Sequence, residues 1–239
     1  MKHLDLTLPT PEENLACDEA LLDFCEEEYP HEILRFWESP KPFIVLGYAD
    51  KAAAELLLGP CRKNGLPILR RRSGGGAVVQ GAGCLNFCLI LRITEGGLFR
   101  DIPATNAFVM KQHASVLQSH AGIPAQIQGF SDLTVGTLKF SGNAQRRKKR
   151  FLLFHGTFLL DFEIPLVETV LSLPGRQPDY RRNRRHMKFM TNLNSRADVI
   201  KAAIRQAWRA TEPMTDIPYE RIRQLAKTRY SDEAWTFKL

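Results

Sequence analysis

Two segments carry residue types that can handle anions. Arg70-Arg71-Arg72-Ser73-Gly74-Gly75-Gly76-Ala77-Val78 sets guanidinium groups beside a glycine run whose backbone N–H groups can be approached closely. That combination suits phosphate or carboxylate oxygens. Further on, Lys139-Phe140-Ser141-Gly142-Asn143-Ala144-Gln145 places a lysine at the end of a short apolar stretch, before a Ser-Gly pair that reads as a turn. An ammonium there can hold a carboxylate oxygen and an α-phosphate oxygen at once. It would lower the barrier to a phosphorane carrying extra negative charge.

The glycine run is neither a P-loop nor a dinucleotide fingerprint. No lysine follows the glycines, and the residues after Gly76 favour β-structure over a helix start. If Arg70 to Arg72 lie on a strand, alternation sends Arg70 and Arg72 to one face and Arg71 to the other, so only some of them can face a ligand. His155 and Cys84 are available for acyl-enzyme chemistry, but no spacing places a nucleophile beside a base.

These segments must be positioned by a chain of 239 residues, enough for one large domain or two small ones. Hydrophobic content of 44% and charged content of 25% are those of a folded globular protein. The N-terminus lacks an apolar signal region and no apolar run reaches membrane-span length, so a cytoplasmic protein is expected. The five cysteines, an odd number, read as free thiols. Cys17, Cys25, Cys84 and Cys88 fall at core positions, and no His/Cys cluster has zinc spacing. The net charge of +7 implies an acidic partner or an anionic ligand. It is concentrated in Arg146–Arg150 and in Arg181, Arg182, Arg184 and Arg185. No nucleic-acid-binding motif accompanies these blocks, so nucleic acid is a minority reading beside two solvated loops.

Thr10-Pro11-Glu12-Glu13 predicts a capped helix start, with Leu15, Leu22 and Cys25 at helical spacing to about Glu28. Strands are expected at 33–37, 43–46, 67–71, 78–79 and 85–91, the last two around a Gly81-Ala82-Gly83 turn. A helix over 104–120 ends at Gly122. Strands at 133–135 and 138–140 flank a Gly136-Thr137 hairpin turn. Further strands at 151–154 and 156–160 precede helices at 165–171, 198–210 and 218–228. Residues 174–185 read as a surface loop. The pattern argues for an α+β (α/β) fold with a mixed sheet in one domain, residues 1–239.

Arg71-x-Ser73-Gly74-Gly75-Gly76-Ala77-Val78, Leu85-Asn86-Phe87, Lys139-x-Ser141-Gly142-x-Ala144 and His155-Gly156-Thr157 occur in order, and in this combination the chain resembles the lipoate–protein and biotin–protein ligase catalytic domain. The likeness is greater to the lipoate enzymes and runs from about Asn14 to Asn194. The resemblance implies a mixed, largely antiparallel sheet flanked by helices. It implies ATP, Mg²⁺ and lipoate as ligands, with lipoyl-AMP formed first and the lipoyl group then passed to a carrier lysine. It assigns nucleotide and acyl-carboxylate contacts to Arg71, Gly76, Ala77, Val78, Val79 and Lys139, with Ser73, Gly74 and Gly75 in the same loop. Asp132 matches an acidic position near the nucleotide and Mg²⁺. Gln80, Asn86, Asn143, His155 and Gly156 are assigned to the lipoate pocket. The implied partner is an acidic lipoyl domain of a 2-oxoacid dehydrogenase or a glycine-cleavage H-protein, steered by the two basic blocks.

The chain departs from the family pattern in three ways. Gln80 stands where many members have histidine, and Asn143 follows Gly142 where serine is usual. No C-terminal accessory domain is visible, which admits a separate accessory protein or a single-domain ligase. A same-fold octanoyl or lipoyl transferase is the second reading. One class of these carries its cysteine nucleophile two residues before the position of Asp132, and Phe130 stands there. A non-catalytic basic protein that binds carriers or nucleic acid is the third.

Overall fold

Thr10 caps α1 (Pro11–Glu27) as expected. Its hydroxyl accepts from the Glu13 N–H at 3.2 Å, and the Glu13 carboxylate reaches back to the Thr10 N–H. The helix is buried on almost every side, and its buried residues include Asn14, Asp18 and Glu19. Asn14 and Asp18 lie four apart and so share one face.

The computed structural model describes residues 1–239. Around α1 the chain adds β1 (Lys2–Asp5), β2 (Ile33–Trp37), β3 (Phe43–Leu46), α2 (Ala52–Glu55), α3 (Leu58–Lys63), β4 (Ile68–Arg70), β5 (Val78–Gln80) and β6 (Cys84–Arg92). Helix α4 (Ile102–Ala121) precedes a meander of β7 (Ala125–Gln128), β8 (Asp132–Val135), β9 (Leu138–Arg147) and β10 (Phe151–Leu159). Then come α5 (Ile164–Val170), α6 (His186–Phe189), α7 (Ala197–Ala207), β11 (Glu212–Pro213), α8 (Tyr219–Leu225), a π-helical turn Ala226–Tyr230 and α9 (Glu233–Thr236).

The main sheet has eight strands in the order β11-β1-β2-β6-β10-β9-β8-β7, parallel only at β11-β1-β2. A second, three-stranded sheet runs β4-β3-β5. This is the mixed, largely antiparallel α+β architecture expected. Alternation along β6 and β10 divides the core. Cys88, Ile90, Phe151 and Leu153 face α1, whereas Leu89, Leu91, Leu152 and Phe154 face α4 and α7.

Several local expectations are revised. The Gly81–Gly83 turn passes the chain from the small sheet into the large one and closes no hairpin. Ser141-Gly142 is not a turn, because β9 runs straight through it. Strands β1, β7 and β11 are too short or too polar to have announced themselves. The Gly136-Thr137 turn is present with Gly136 at φ +57°, and Gly122 closes α4 at φ +65°.

The core on the α4 side contains a titratable group with a predictable effect. His113 is fully buried against Phe87 and Phe158, and its Nε2 accepts from Trp208 Nε1 at 2.9 Å. Burial lowers its pKa to about 3. The unfolded chain takes up this proton near pH 6.5 and the folded chain only near pH 3. Between those values the unfolded state binds more protons, so stability falls as pH drops, by up to about 1.4 kcal/mol per pH unit from this group. Urea unfolding between pH 6 and 4 should show proton uptake smaller by about one in His113→Phe than in the parent. An unchanged pH slope would refute the assignment.

Candidate active site

The glycine loop is built by Arg71. Its N–H donates to Leu46 O at 2.9 Å as the chain leaves β4. Its buried guanidinium then turns inward. Nη2 donates to Gly74 O (2.6 Å) and Gly76 O (3.0 Å), Nε to Gly74 O (3.2 Å) and Ser73 Oγ (3.1 Å), and Nη1 to Val45 O (3.3 Å). Burial lowers its pKa to about 10, so it stays charged at neutral pH. Arg71 therefore shapes the loop and does not offer a free fork to a ligand. By consuming loop carbonyls it leaves the N–H groups of Gly74, Gly75 and Gly76, all exposed, with no protein acceptor.

Glycine is required at two of these contacts. Gly75 sits at φ +84° against the Arg71 guanidinium. Across from it, a Cβ on Gly47 would lie 1.9 Å from Gly75 O. Gly47→Ala should force the loop away from β3 and cost about 3 kcal/mol, a fall in melting temperature of roughly 6–12 °C. An unchanged melting temperature would show that the loop yields freely.

Arg70 and Arg72 are also structural. Fully buried Arg70 donates from Nη1 to Gly47 O and Asp50 O, both at 2.7 Å, and from Nε to Thr236 O at 2.8 Å. Trp235 Nε1 donates to Arg70 O at 2.9 Å. Arg72 lies over the rings of Tyr48 and Trp235 and pairs with Glu19 at 3.3 Å. Glu19 also accepts from Arg229 and, at 2.9 Å, from Tyr230 OH. The C-terminal segment thus clamps the base of the arginine run.

Beyond the loop a chain of polar contacts crosses to α1. Ser73 Oγ lies 2.6 Å from His155 Nε2, and His155 Nδ1 lies 3.5 Å from Asp18 Oδ2. Since Arg71 already donates to Ser73 Oγ, the hydroxyl proton is free to go to His155. Arg35, with no exposure, grips Asp18 Oδ1 at 2.6 Å and Asn14 Oδ1 at 2.7 Å. Burial alone would raise the Asp18 pKa, but Arg35 and His155 outweigh it and hold the carboxyl below its usual range. Leu15, Leu22, Leu153 and Tyr230 join Asp18, Glu19, Arg71, Arg72, Ser73, Arg146 and His155 around a cavity of about 20 Å³, room for about one water.

Lys139 reaches the site through an irregularity. Asp132 pairs with Gly142 and Leu133 with Ser141, but Thr134 pairs with Lys139, so Phe140 is the extra residue of a β-bulge. Directly opposed residues share a face, so the bulge turns Lys139 to the side of Asp132 and Gly142. Its Nζ lies 2.7 Å from Asp132 Oδ1, and Tyr180 OH donates to Asp132 Oδ2 at 2.7 Å. The stem crosses Gly142, where a Cβ would stand 2.8 Å from Nζ. Two residues on, about 7 Å along the strand, Ala144 pairs with His155, and its Cβ lies 3.7 Å from where a Cβ on Gly75 would stand. Loop, lysine and pocket therefore converge on the middle of β9 and β10.

The remaining expected residues divide. Asn143 Nδ2 donates to Ser131 O at 2.7 Å, and its buried Oδ1 packs where a Cβ of Gly156 would be. Asn143 also contacts Met110 of α4 at 3.5 Å, so by alternation it and Gly156, its strand partner, lie on the α4 side of the sheet, opposite the face of His155, Ala144 and Lys139, and neither joins the converging group. Gln80 and Asn86 do not line the pocket beside Ser73. Gln80 Nε2 donates to Thr157 Oγ1 (2.8 Å), which donates to Asn86 Oδ1 (2.6 Å), a polar ladder within the sheets. Val79 faces the small-sheet core, whereas Ala77 is half-buried and Val78 exposed at the loop's end. The basic blocks are largely consumed. Arg147 bonds to Phe99 O and Thr105, Lys148 pairs with Asp23, Arg184 holds Thr137 O and Tyr180 O, and buried Arg181 lies over Phe189. Asp18, Glu19, Arg35, Tyr180 and Tyr230 were not among the sequence candidates. The one signal for them was the polar pair Asn14 and Asp18 on a helix otherwise rich in apolar residues.

A glycine loop with three unengaged N–H groups and a lysine held by a carboxylate thus stand on one face of this sheet. Residues 10–208 match the lipoyl protein ligase A/B catalytic domain, and the chain belongs to that family. It is 26% identical to the octanoyltransferase LipM of Geobacillus kaustophilus, over 95% of this chain and 94% of that protein. It is likewise 26% identical to the lipoate-protein ligase LplJ of Bacillus subtilis, over 95% of this chain and 70% of that protein. The bipartite lipoate protein ligase of Thermoplasma acidophilum, described with its E2 lipoyl domain, superposes with a TM-score of 0.84 at 24% identity, covering 99% of this chain and 95% of that one. The family thus includes ligases and transferases, and the fold is that of the lipoate-protein ligases.

Proposed function

We propose that the chain is an ATP-dependent lipoate–protein ligase. The observation that carries this reading is the placement of three unengaged glycine N–H groups and the Lys139 ammonium on one face of the sheet, joined through Gly142 and Ala144. Such a pairing fits the anionic centre of a carboxylate attacking an α-phosphate. The lipoate carboxylate oxygen bonds to phosphorus, the bond to pyrophosphate breaks, and lipoyl-AMP results. Lys139 offsets the charge gathered on phosphorus, and the glycine N–H groups hold the phosphate oxygens. A carrier lysine amine then attacks the acyl carbon, AMP leaves, and an amide forms. An acidic lipoyl domain is the partner that this chemistry and the net charge of +7 favour.

Asp132 fits a resident Mg²⁺ poorly. Both its oxygens are engaged by Lys139 and Tyr180, and no group of three carboxylate, histidine or cysteine side chains converges. Mg²⁺ would arrive on the ATP phosphates, and Asp132 serves to park Lys139.

A transferase needs a thiolate. All five cysteines are buried. Burial raises each of them, Cys17 and Cys25 to about 12, so none is poised as a nucleophile. The test is exchange of labelled pyrophosphate into ATP that depends on added lipoate. Exchange by the isolated chain supports adenylation. Its absence, together with transfer of octanoyl from an octanoylated carrier without ATP, would establish the transferase reading instead.

A further inference from the structure

Phe130 is 90% exposed, an unusual position for a phenylalanine. It sits at the tip of the three-residue turn joining β7 to β8, whose closing pair is Gln128 with Asp132. The turn is pinned on both sides. Gly129, at φ +57°, packs against Pro178 and the Tyr180 ring. Ser131 Oγ donates to Asn143 O at 3.0 Å, and Ser131 O accepts from the Asn143 amide at 2.7 Å. A fully solvated aromatic on a fixed turn is therefore aimed outward beside the site.

The segment that supports this turn carries unspent charge. Arg185 is tied to Glu168 at 2.7 Å, but Arg176 and Arg182 are exposed and form no ion pair. Arg182 and Asn183 follow the Asp179–Arg181 turn and are both left-handed, at φ +50° and +55°. Non-glycine residues rarely hold that conformation, and here two in succession do so in an exposed turn. The segment that meets the Phe130 turn at Pro178 and Tyr180 thus carries two exposed, unpaired arginines and one exposed aspartate, Asp179.

We propose that Phe130, together with Arg176 and Arg182 on the segment that meets its turn, is the docking anchor for the acidic carrier domain that accepts the acyl group. The proposal rests on the acyl-transfer reading above. A lysine side chain spans about 6 Å, so an acceptor amine that reaches an acyl group beside Lys139 brings its own backbone within that distance. Phe130 lies two residues, at most about 7 Å along the chain, from Asp132, the residue that holds Lys139. A carrier in that position covers Phe130. An exposed aromatic with two exposed, unpaired arginines on the segment that meets its turn matches an acidic surface with a small apolar centre. The position at which some transferases of this fold bear a nucleophile would here serve recognition.

The test is titration of the protein with an apo acidic lipoyl domain of a 2-oxoacid dehydrogenase, followed by calorimetry, which needs no chemistry. Phe130→Ala should weaken binding at least tenfold. Arg182→Glu should weaken it and flatten its salt dependence. Lipoate-dependent pyrophosphate exchange is measured on the same variants and should remain at the parent level. Parent-like binding by both variants would overturn the proposal, as would failure of the parent to bind the domain. A loss of exchange in Phe130→Ala equal to its loss of binding would place Phe130 in the activation site and overturn it too. A parent that binds the carrier but exchanges no pyrophosphate would reject adenylation and leave the docking result standing.

Discussion

Lys139→Ala is expected to lose lipoate-dependent pyrophosphate exchange by about 10³-fold or more, with little change in melting temperature. The ammonium is partly exposed and its one ion-pair partner is Asp132, so its removal opens no core cavity. Asp132 keeps the Tyr180 hydroxyl after the change. What disappears is the cation beside Gly142; Arg70, Arg71 and Arg72 are committed to backbone carbonyls, Glu19 and aromatic rings, and Arg146, which also lines the pocket, reaches Arg72 O at 3.5 Å. Asp132→Asn should cost much less, about tenfold, because it loosens the lysine without removing its charge. Exchange in Lys139→Ala within tenfold of the parent would remove Lys139 from the chemistry and return the role to an arginine.

Arg35→Met should be the most destabilising single change in the site's foundation, by about 3–5 kcal/mol, or roughly 6–20 °C in melting temperature. The guanidinium has no exposure and serves Leu6 O, Asn14 O, Asn14 Oδ1 and Asp18 Oδ1. Without it the Asp18 carboxylate is left in the core with His155 as its remaining partner. The cost is that of an uncompensated buried charge, so Arg35→Met combined with Asp18→Leu should recover most of it. A double variant no more stable than Arg35→Met would mean that lost packing, not the stranded carboxylate, is responsible. Because Asp18 faces His155, and His155 faces Ser73, the same substitution should loosen the polar side of the cavity they line.

Local signals were legible wherever one segment's own chemistry decides its structure. The capping box of Thr10 and Glu13, the terminating Gly122 and the Gly136 turn were readable because each depends on neighbours within a few residues. The Arg-Ser-Gly-Gly-Gly loop and the Lys139 segment were recognisable together by residue type and order. These are what the amino-acid order determined by itself: an α+β fold, and the glycine loop and lysine segment that mark its family.

How they meet was decided by strand pairing. The Phe140 bulge sets the face on which Lys139 emerges, and nothing local in Lys139-Phe140-Ser141 announces a one-residue slip. The register of β9 against β10 brings Ala144 to His155 and, through Gly75, to the loop. Ser73, His155 and Asp18 are joined across more than half the chain, and Arg71 turns to the loop carbonyls because burial leaves its guanidinium no water to bond. A side chain's partner depends on which distant backbone reaches it, and that is a property of register and burial that residue order expresses only once the sheet has formed.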